Sequence, residues 1–115
     1  ADWMEGQRHY YEGVEQDIYQ VLMRRASEVG PAVELNDFQA CDNFDIMDEV
    51  SNIRLPTQVV CGSDDVMTPV KYSDYLGSQI AEADVQVIPG GSHYVHLEKY
   101  QKVNEQIERF LGTLK

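Results

Sequence analysis

Two short apolar runs, Gln58-Val59-Val60-Cys61 and Val85-Gln86-Val87-Ile88, stand on either side of a stretch with helical periodicity, and each runs into a glycine-bearing loop. Runs of this length, rich in β-branched residues and bounded by turn formers, predict buried strands. The stretch between them opens at Pro69 or Val70 and continues to about Ala83, with Tyr72, Tyr75, Leu76 and Ile80 marking its buried side. A proline suits a first helical turn because its φ is already helical and its missing N–H would have found no partner there. A last helix is expected from about Glu98 to Leu114, carrying Val103, Ile107, Phe110, Leu111 and Leu114 on one stripe. Strand, helix, strand, helix is the order of a parallel pair with a right-handed crossover, so the fold class is α/β. Two parallel strands do not make a self-sufficient sheet, because their apolar faces and open edges need neighbours. Such a piece is expected to dock on further strands or to self-associate.

Upstream, Tyr10, Tyr11, Val14, Ile18, Val21 and Leu22 recur at helical spacing, predicting one helix from about Gly6 to Val29. Gly30-Pro31 stops it, since glycine suits a left-handed cap and proline cannot continue the turn. A short helical stretch is expected from Glu34 to Cys41. Another is expected around Ile46 to Val50, with Asp45 placed to cap its amino end.

Charge narrows the range of partners. Nine basic against twenty acidic residues give a net charge of −11 over 115 residues, a field that repels phosphate backbones and anionic lipid. Nucleic acid and membrane surfaces are therefore excluded as partners, and no run approaches the ~20 apolar residues a spanning helix needs. Cys41 and Cys61 are too few and too scattered for a disulfide framework or a metal knuckle, and a reducing, cytoplasmic setting is expected. His93, His96 and Glu98 lack the i, i+4 spacing of a helical ligand pair, so no metal site is expected. Glu98, Lys99, Lys102, Glu105 and Glu108 read as a solvated face.

The chemistry lies in the two loops, which leave the carboxyl ends of the predicted strands, where open α/β sheets hold their working side chains. In the first, Gly62 to Pro69, Asp64 and Asp65 are rival candidates to accept a hydrogen bond from an imidazole and so fix its tautomer. Either aspartate also suits a plain turn or cap. In the second, Gly90-Gly91-Ser92-His93, the candidate base is His93, on a turn flexible enough to approach its neighbour closely. One strand–helix–strand step separates His93 from the aspartates. Adjacent parallel strands lie ~4.8 Å apart, so loops at their carboxyl ends meet.

These residues carry a family resemblance. Leu55-Pro56-Thr57-Gln58-Val59-Val60-Cys61-Gly62, the Asp65 loop with Thr68-Pro69, and Pro89-Gly90-Gly91-Ser92-His93 together resemble the carboxy-terminal part of an α/β-hydrolase. The tail His93 to Glu98, followed by Val103-Asn104, is also similar to the usual ending, with Tyr100 where many members have proline. In that family the triad runs nucleophile, acid, histidine along the chain. The resemblance implies Asp65 as triad acid and His93 as triad base, no cofactor, and a small-molecule acyl substrate. It divides the chain into a helical cap segment, 1–34, and the carboxy-terminal portion of the core, 35–115, a partial parallel sheet. Trp3, Met4, Tyr10 and Tyr11 would then be available to touch substrate. No G-x-S-x-G occurs, neither cysteine is flanked by glycines two residues to each side, and Ser92 has Gly90 before it but Tyr94 after it. The resemblance therefore assigns the serine and the oxyanion hole to an amino-terminal half, absent from this chain, that is its partner. Alone, the chain is expected to be inactive. The alternative is a non-catalytic hydrolase-like domain that binds a ligand or forms a homo-oligomer through its exposed strand edge.

Overall fold

The computed structural model describes residues 6–114; Trp3 and Met4 lie outside that range. A 3-10 helix, Arg8–Tyr11, precedes α1 (Gln16–Val29) and α2 (Pro31–Asn43), and a second 3-10 helix, Met47–Asn52, leads to the sheet. There β1 (Thr57–Gly62), α3 (Val70–Gln79) and β2 (Ala83–Ile88) follow in order, then a single turn, α4 (Val95–Glu98), and α5 (Tyr100–Thr113). The expected parallel pair is present, in register from Thr57 opposite Ala83 to Gly62 opposite Ile88. The 34/35 division falls inside α2.

The alternation of a strand sends Gln58, Val60, Asp84, Gln86 and Ile88 to one face and Val59, Cys61, Val85 and Val87 to the other. On the first face Ile88, Val95 and Val103 form the buried core, with Val60 packed against them. A polar clip holds α5 there. The Asp84 carboxyl accepts from Gln58 at 2.9 Å, Gln86 at 2.7 Å and Arg109 at 2.7 Å, while Gln58 also donates to the Gln106 carbonyl at 2.9 Å. Those donors, Gln58 first, hold the Asp84 carboxyl below its usual range against the opposing push of burial.

On the second face Ile80, the C-cap of α3, is buried as expected, but the helix otherwise turns Ser73 and Gly77 to the sheet, and a methyl group on Gly77 would run into Val85. Small residues four apart bring the helix axis close to the strands, which turns the bulky Tyr72 and Tyr75 away from the sheet. Tyr72 is 46% exposed, and the Tyr75 hydroxyl donates to the Met47 carbonyl at 3.0 Å.

The predicted amino-terminal helix is broken: it stops after Tyr11 and resumes at Gln16, and between the two pieces Gly13 lies against the Glu98 side chain. The last helix, Tyr100–Thr113, runs close to its expected bounds. Of its apolar stripe, Val103 is buried and Phe110 half-buried, while Ile107, Leu111 and Leu114 are open. Asp45 stands one position before the N-cap, Ile46, of the second 3-10 helix, and its carboxyl accepts from the Met47 N–H at 3.0 Å.

Helices thus cover both faces of a sheet that has two open edges. Along the β1 edge, between the two helical layers, runs a hollow of about 440 Å³ floored by Val59, Val60 and Cys61. The radius of gyration, 16.1 Å, exceeds the ~13 Å of a compact domain of this length. Neither α1 nor α2 has a buried residue, and no described helix is long and apolar enough to cross a membrane.

Candidate active site

At the carboxyl end of the strand pair the two loops are sewn together. The Ser63 N–H donates to the Ile88 carbonyl at 3.0 Å and the Asp64 N–H to the Gly91 carbonyl at 2.9 Å. In return the Gly90 N–H donates to the Ser63 hydroxyl at 2.8 Å. Gly62 makes this possible, since a Cβ there would overlap the backbone of Gly91 and Ser92. Gly90 takes a positive φ of 68°, the left-handed turn that glycine adopts freely.

This suture brings Asp65 and His93 together. The Asp65 Oδ2 lies 3.0 Å from the His93 Nδ1, with the Asp65 side chain 5% exposed and that of His93 30%. The other carboxyl oxygen, Oδ1, accepts from the backbone N–H groups of Met67 and Thr68, both at 2.9 Å, and the Thr68 hydroxyl donates to Oδ2 at 2.9 Å. Burial alone would raise the Asp65 carboxyl. The Thr68 N–H, His93 and the Thr68 hydroxyl outweigh it and hold the group below its ordinary value. Asp65 is therefore ionised at neutral pH, and the ring nitrogen facing it carries the proton. That leaves Nε2 as the acceptor nitrogen, with no hydrogen bond to any described residue. His93 and Asp65 line the β1-edge hollow together with Thr68 and His96.

The rival aspartate is placed differently. Asp64 is exposed and accepts from the Ser63 hydroxyl at 2.6 Å. Ser92, next to the imidazole, is also taken: its N–H donates to the Glu98 Oε2 at 2.8 Å and its hydroxyl to Oε1. Glu98 is thus half-buried and engaged rather than part of a solvated face. Tyr94 stacks on Tyr11, with ring centroids 4.2 Å apart, and receives a hydrogen bond from the Tyr11 hydroxyl at 2.8 Å. Burial first, then Tyr94, raises the Tyr11 hydroxyl above its ordinary value. Tyr10 and Tyr11 line a cavity of about 440 Å³ with Met23, Phe38, Met67 and Tyr94, so it touches the residues beside both Asp65 and His93.

Sequence reasoning missed Thr68 and Glu98. Thr68 stands in the i+3 position at which a side chain meets an aspartate-led turn, a signal that was open to reading. No group of three or more metal-ligating side chains occurs among the described residues.

No protein-family model matches the chain. It is 34% identical over 82 residues to the "Putative carbamate hydrolase RutD" of Rhizobium rhizogenes, a match covering 71% of this chain and 31% of the relative. Among solved structures it resembles a serine hydrolase involved in carbazole degradation, the CarC enzyme, with a TM-score of 0.58 and 25% identity over 60% of this chain and 27% of that one. It also resembles the peroxisomal alpha-beta-hydrolase Lpx1 of Saccharomyces cerevisiae, with a TM-score of 0.54 and 26% identity over 59% of this chain and 18% of that one. The chain spans about a third or less of the length of the proteins it matches. Hydrolases answer both to its sequence and to its strand–helix–strand frame, and the chain carries the fold of the carboxy-terminal part of the α/β-hydrolases.

Proposed function

We propose that this chain supplies the acid and the base of a charge-relay triad to a serine-type hydrolase acting on a small ester or related acyl bond. The observation that carries the reading is the 3.0 Å contact between a buried, ionised Asp65 and the His93 Nδ1. The names of the relatives, a carbamate hydrolase and a serine hydrolase, lend support on the side of reaction class. His93 Nε2 takes the proton of an attacking serine hydroxyl as the new acyl–oxygen bond forms, then returns it to the leaving group as the old bond breaks. Asp65 keeps the ring in the tautomer that leaves Nε2 free and stabilises the imidazolium between those two transfers. The serine and its oxyanion hole come from an amino-terminal half of the same protein. It docks along the open β1 edge, where His93 lines the hollow. Residues 1–34 act as the cap over the acyl group, and the chain by itself is inactive.

The test is turnover of a small chromogenic ester by this chain with and without the nucleophile-bearing half, and by the intact protein carrying Asp65→Asn or His93→Ala. The expected result is activity in the combination only, lost by ~10⁴-fold in either variant. Near-normal turnover in the variants would overturn the assignment. A folded, ligand-binding or self-associated chain that gains no activity from the added half would favour a non-catalytic scaffold, which the open sheet edges also suit.

A further inference from the structure

We infer that Glu98 is a positioning residue for His93, a role that rests on the proposed triad and reaches beyond its three members. The Asp65 contact fixes only one ring atom of His93, and the imidazole still swings about that point unless its own backbone is held. Glu98 holds it from the amino-terminal side. Its carboxyl group reaches back six residues from α4 and binds both the N–H and the hydroxyl of Ser92. The peptide between Ser92 and His93 is planar, so fixing Ser92 fixes the plane from which the His93 side chain departs.

Glu98 is itself held from two sides. The Glu98 N–H donates to the Tyr94 carbonyl at 3.0 Å, and α4 is anchored by Val95, buried in the core and packed on Gly91. Gly13 lies against the Glu98 side chain closely enough that a methyl group there would come within 2.9 Å of Cδ. Two residues earlier, Tyr11 is bonded to Tyr94 on the other flank of His93. The Tyr11–Gly13 segment therefore touches Glu98 and Tyr94 together, while the Glu98 carboxyl grips Ser92. The aim of Nε2 is set by this ring of contacts as much as by Asp65.

The experiment compares Glu98→Ala, Glu98→Gln and Ser92→Ala in the intact protein, by steady-state kinetics and by imidazole NMR. Displacing a catalytic group by ~1 Å costs on the order of 10²-fold in rate. Glu98→Ala is therefore expected to lower kcat by about 10²-fold with KM little changed, and to broaden or split the His93 imidazole signals while those of His9 and His96 stay in place. Glu98→Gln should restore kcat to within a few-fold and return one His93 signal, because an amide oxygen accepts the Ser92 N–H and its NH₂ donates to the Ser92 hydroxyl. Ser92→Ala should fall between them. A Glu98→Ala protein with unaltered His93 signals and unaltered kcat overturns the inference, as does one in which all three histidines change alike. The NMR arm reads ring placement whether or not the triad turns over substrate, so failure of the catalytic reading, reported by His93→Ala, is separable from failure of this one.

Discussion

Gly62 and Gly91 meet backbone to backbone at the ends of β1 and β2, so closely that a side chain on Gly62 would occupy the position of the Gly91 carbonyl. Because Asp65 lies three residues past the first glycine and His93 two past the second, this contact sets the separation of carboxyl and imidazole. Neither glycine is chosen here for an unusual φ; the requirement is space.

Gly62→Ala is therefore expected to destabilise the protein by about 1–3 kcal/mol through overpacking against backbone that cannot yield. The control is Gly112→Ala on α5, where nothing lies within 4 Å of the added methyl and helix propensity favours alanine by roughly 0.5–1 kcal/mol. Thermal unfolding should move the midpoints in opposite directions. Equal shifts would mean that the two loops are free to separate.

Asp65 ties acid stability to the site. Its carboxyl is held below its ordinary value in the folded chain, so the folded state binds a proton there less readily than the unfolded one. The resulting stability is fully present above the unfolded value, roughly pH 4, and is lost as the pH falls through the lower folded value. Asp65→Asn removes this part of the slope. The unfolding midpoint of the variant should approach that of the parent as the pH is lowered from 5 towards 2, and a constant offset over that range would contradict the assignment.

The Tyr11–Tyr94 pair titrates in the opposite sense. The Tyr11 hydroxyl is raised above its ordinary value by burial and by Tyr94, so the folded state keeps its proton longer than the unfolded one. Its contribution to stability is fully present below about pH 10 and fades as the pH rises above that towards the folded value. Replacing Tyr94 with Phe keeps the stacking but leaves Tyr11 without its acceptor. Ultraviolet titration should then show one tyrosine ionising at lower pH than in the parent, with a loss of about 0.5–1.5 kcal/mol at neutral pH. An unchanged tyrosine titration would mean that the hydrogen bond is not formed in solution.

The strand–helix–strand frame and the Asp65–His93 pair were legible in the sequence because both follow from local signals: apolar runs of strand length, glycines at their ends, and acid and base one crossover apart. What was not legible depends on contacts across turns. Glu98 has the spacing of a solvated helix residue, and only the fold of the Gly90–Ser92 turn brings a donor pair within its reach. The break near Gly13 was not legible either, because the apolar spacing of Tyr11 and Val14 continues a helical pattern, and the approach of Gly13 to the Glu98 side chain is a contact across the fold. On α3 the spacing put Tyr72 and Tyr75 on the buried side with Ile80, whereas Ile80 is joined there by the small residues Ser73 and Gly77. Size sets how near a helix approaches a sheet, and hydropathy does not record that.

The accessible surface of the chain is 8408 Å², whereas a compact monomer of this mass exposes about 6,400 Å². The excess includes exposed apolar side chains, among them Phe44 at 67% and Leu111 at 58%. Apolar surface of this kind binds hydrophobic dyes and lowers cooperativity on heating. We expect the isolated chain to enhance anilinonaphthalene sulfonate fluorescence, and the enhancement to fall when the nucleophile-bearing half is added, together with a rise in the unfolding midpoint. The dye signal separates docking from catalysis, since it responds to covered area whether or not His93 meets a serine. If the added half leaves both dye binding and midpoint unchanged, the proposed docking along the open β1 edge is overturned.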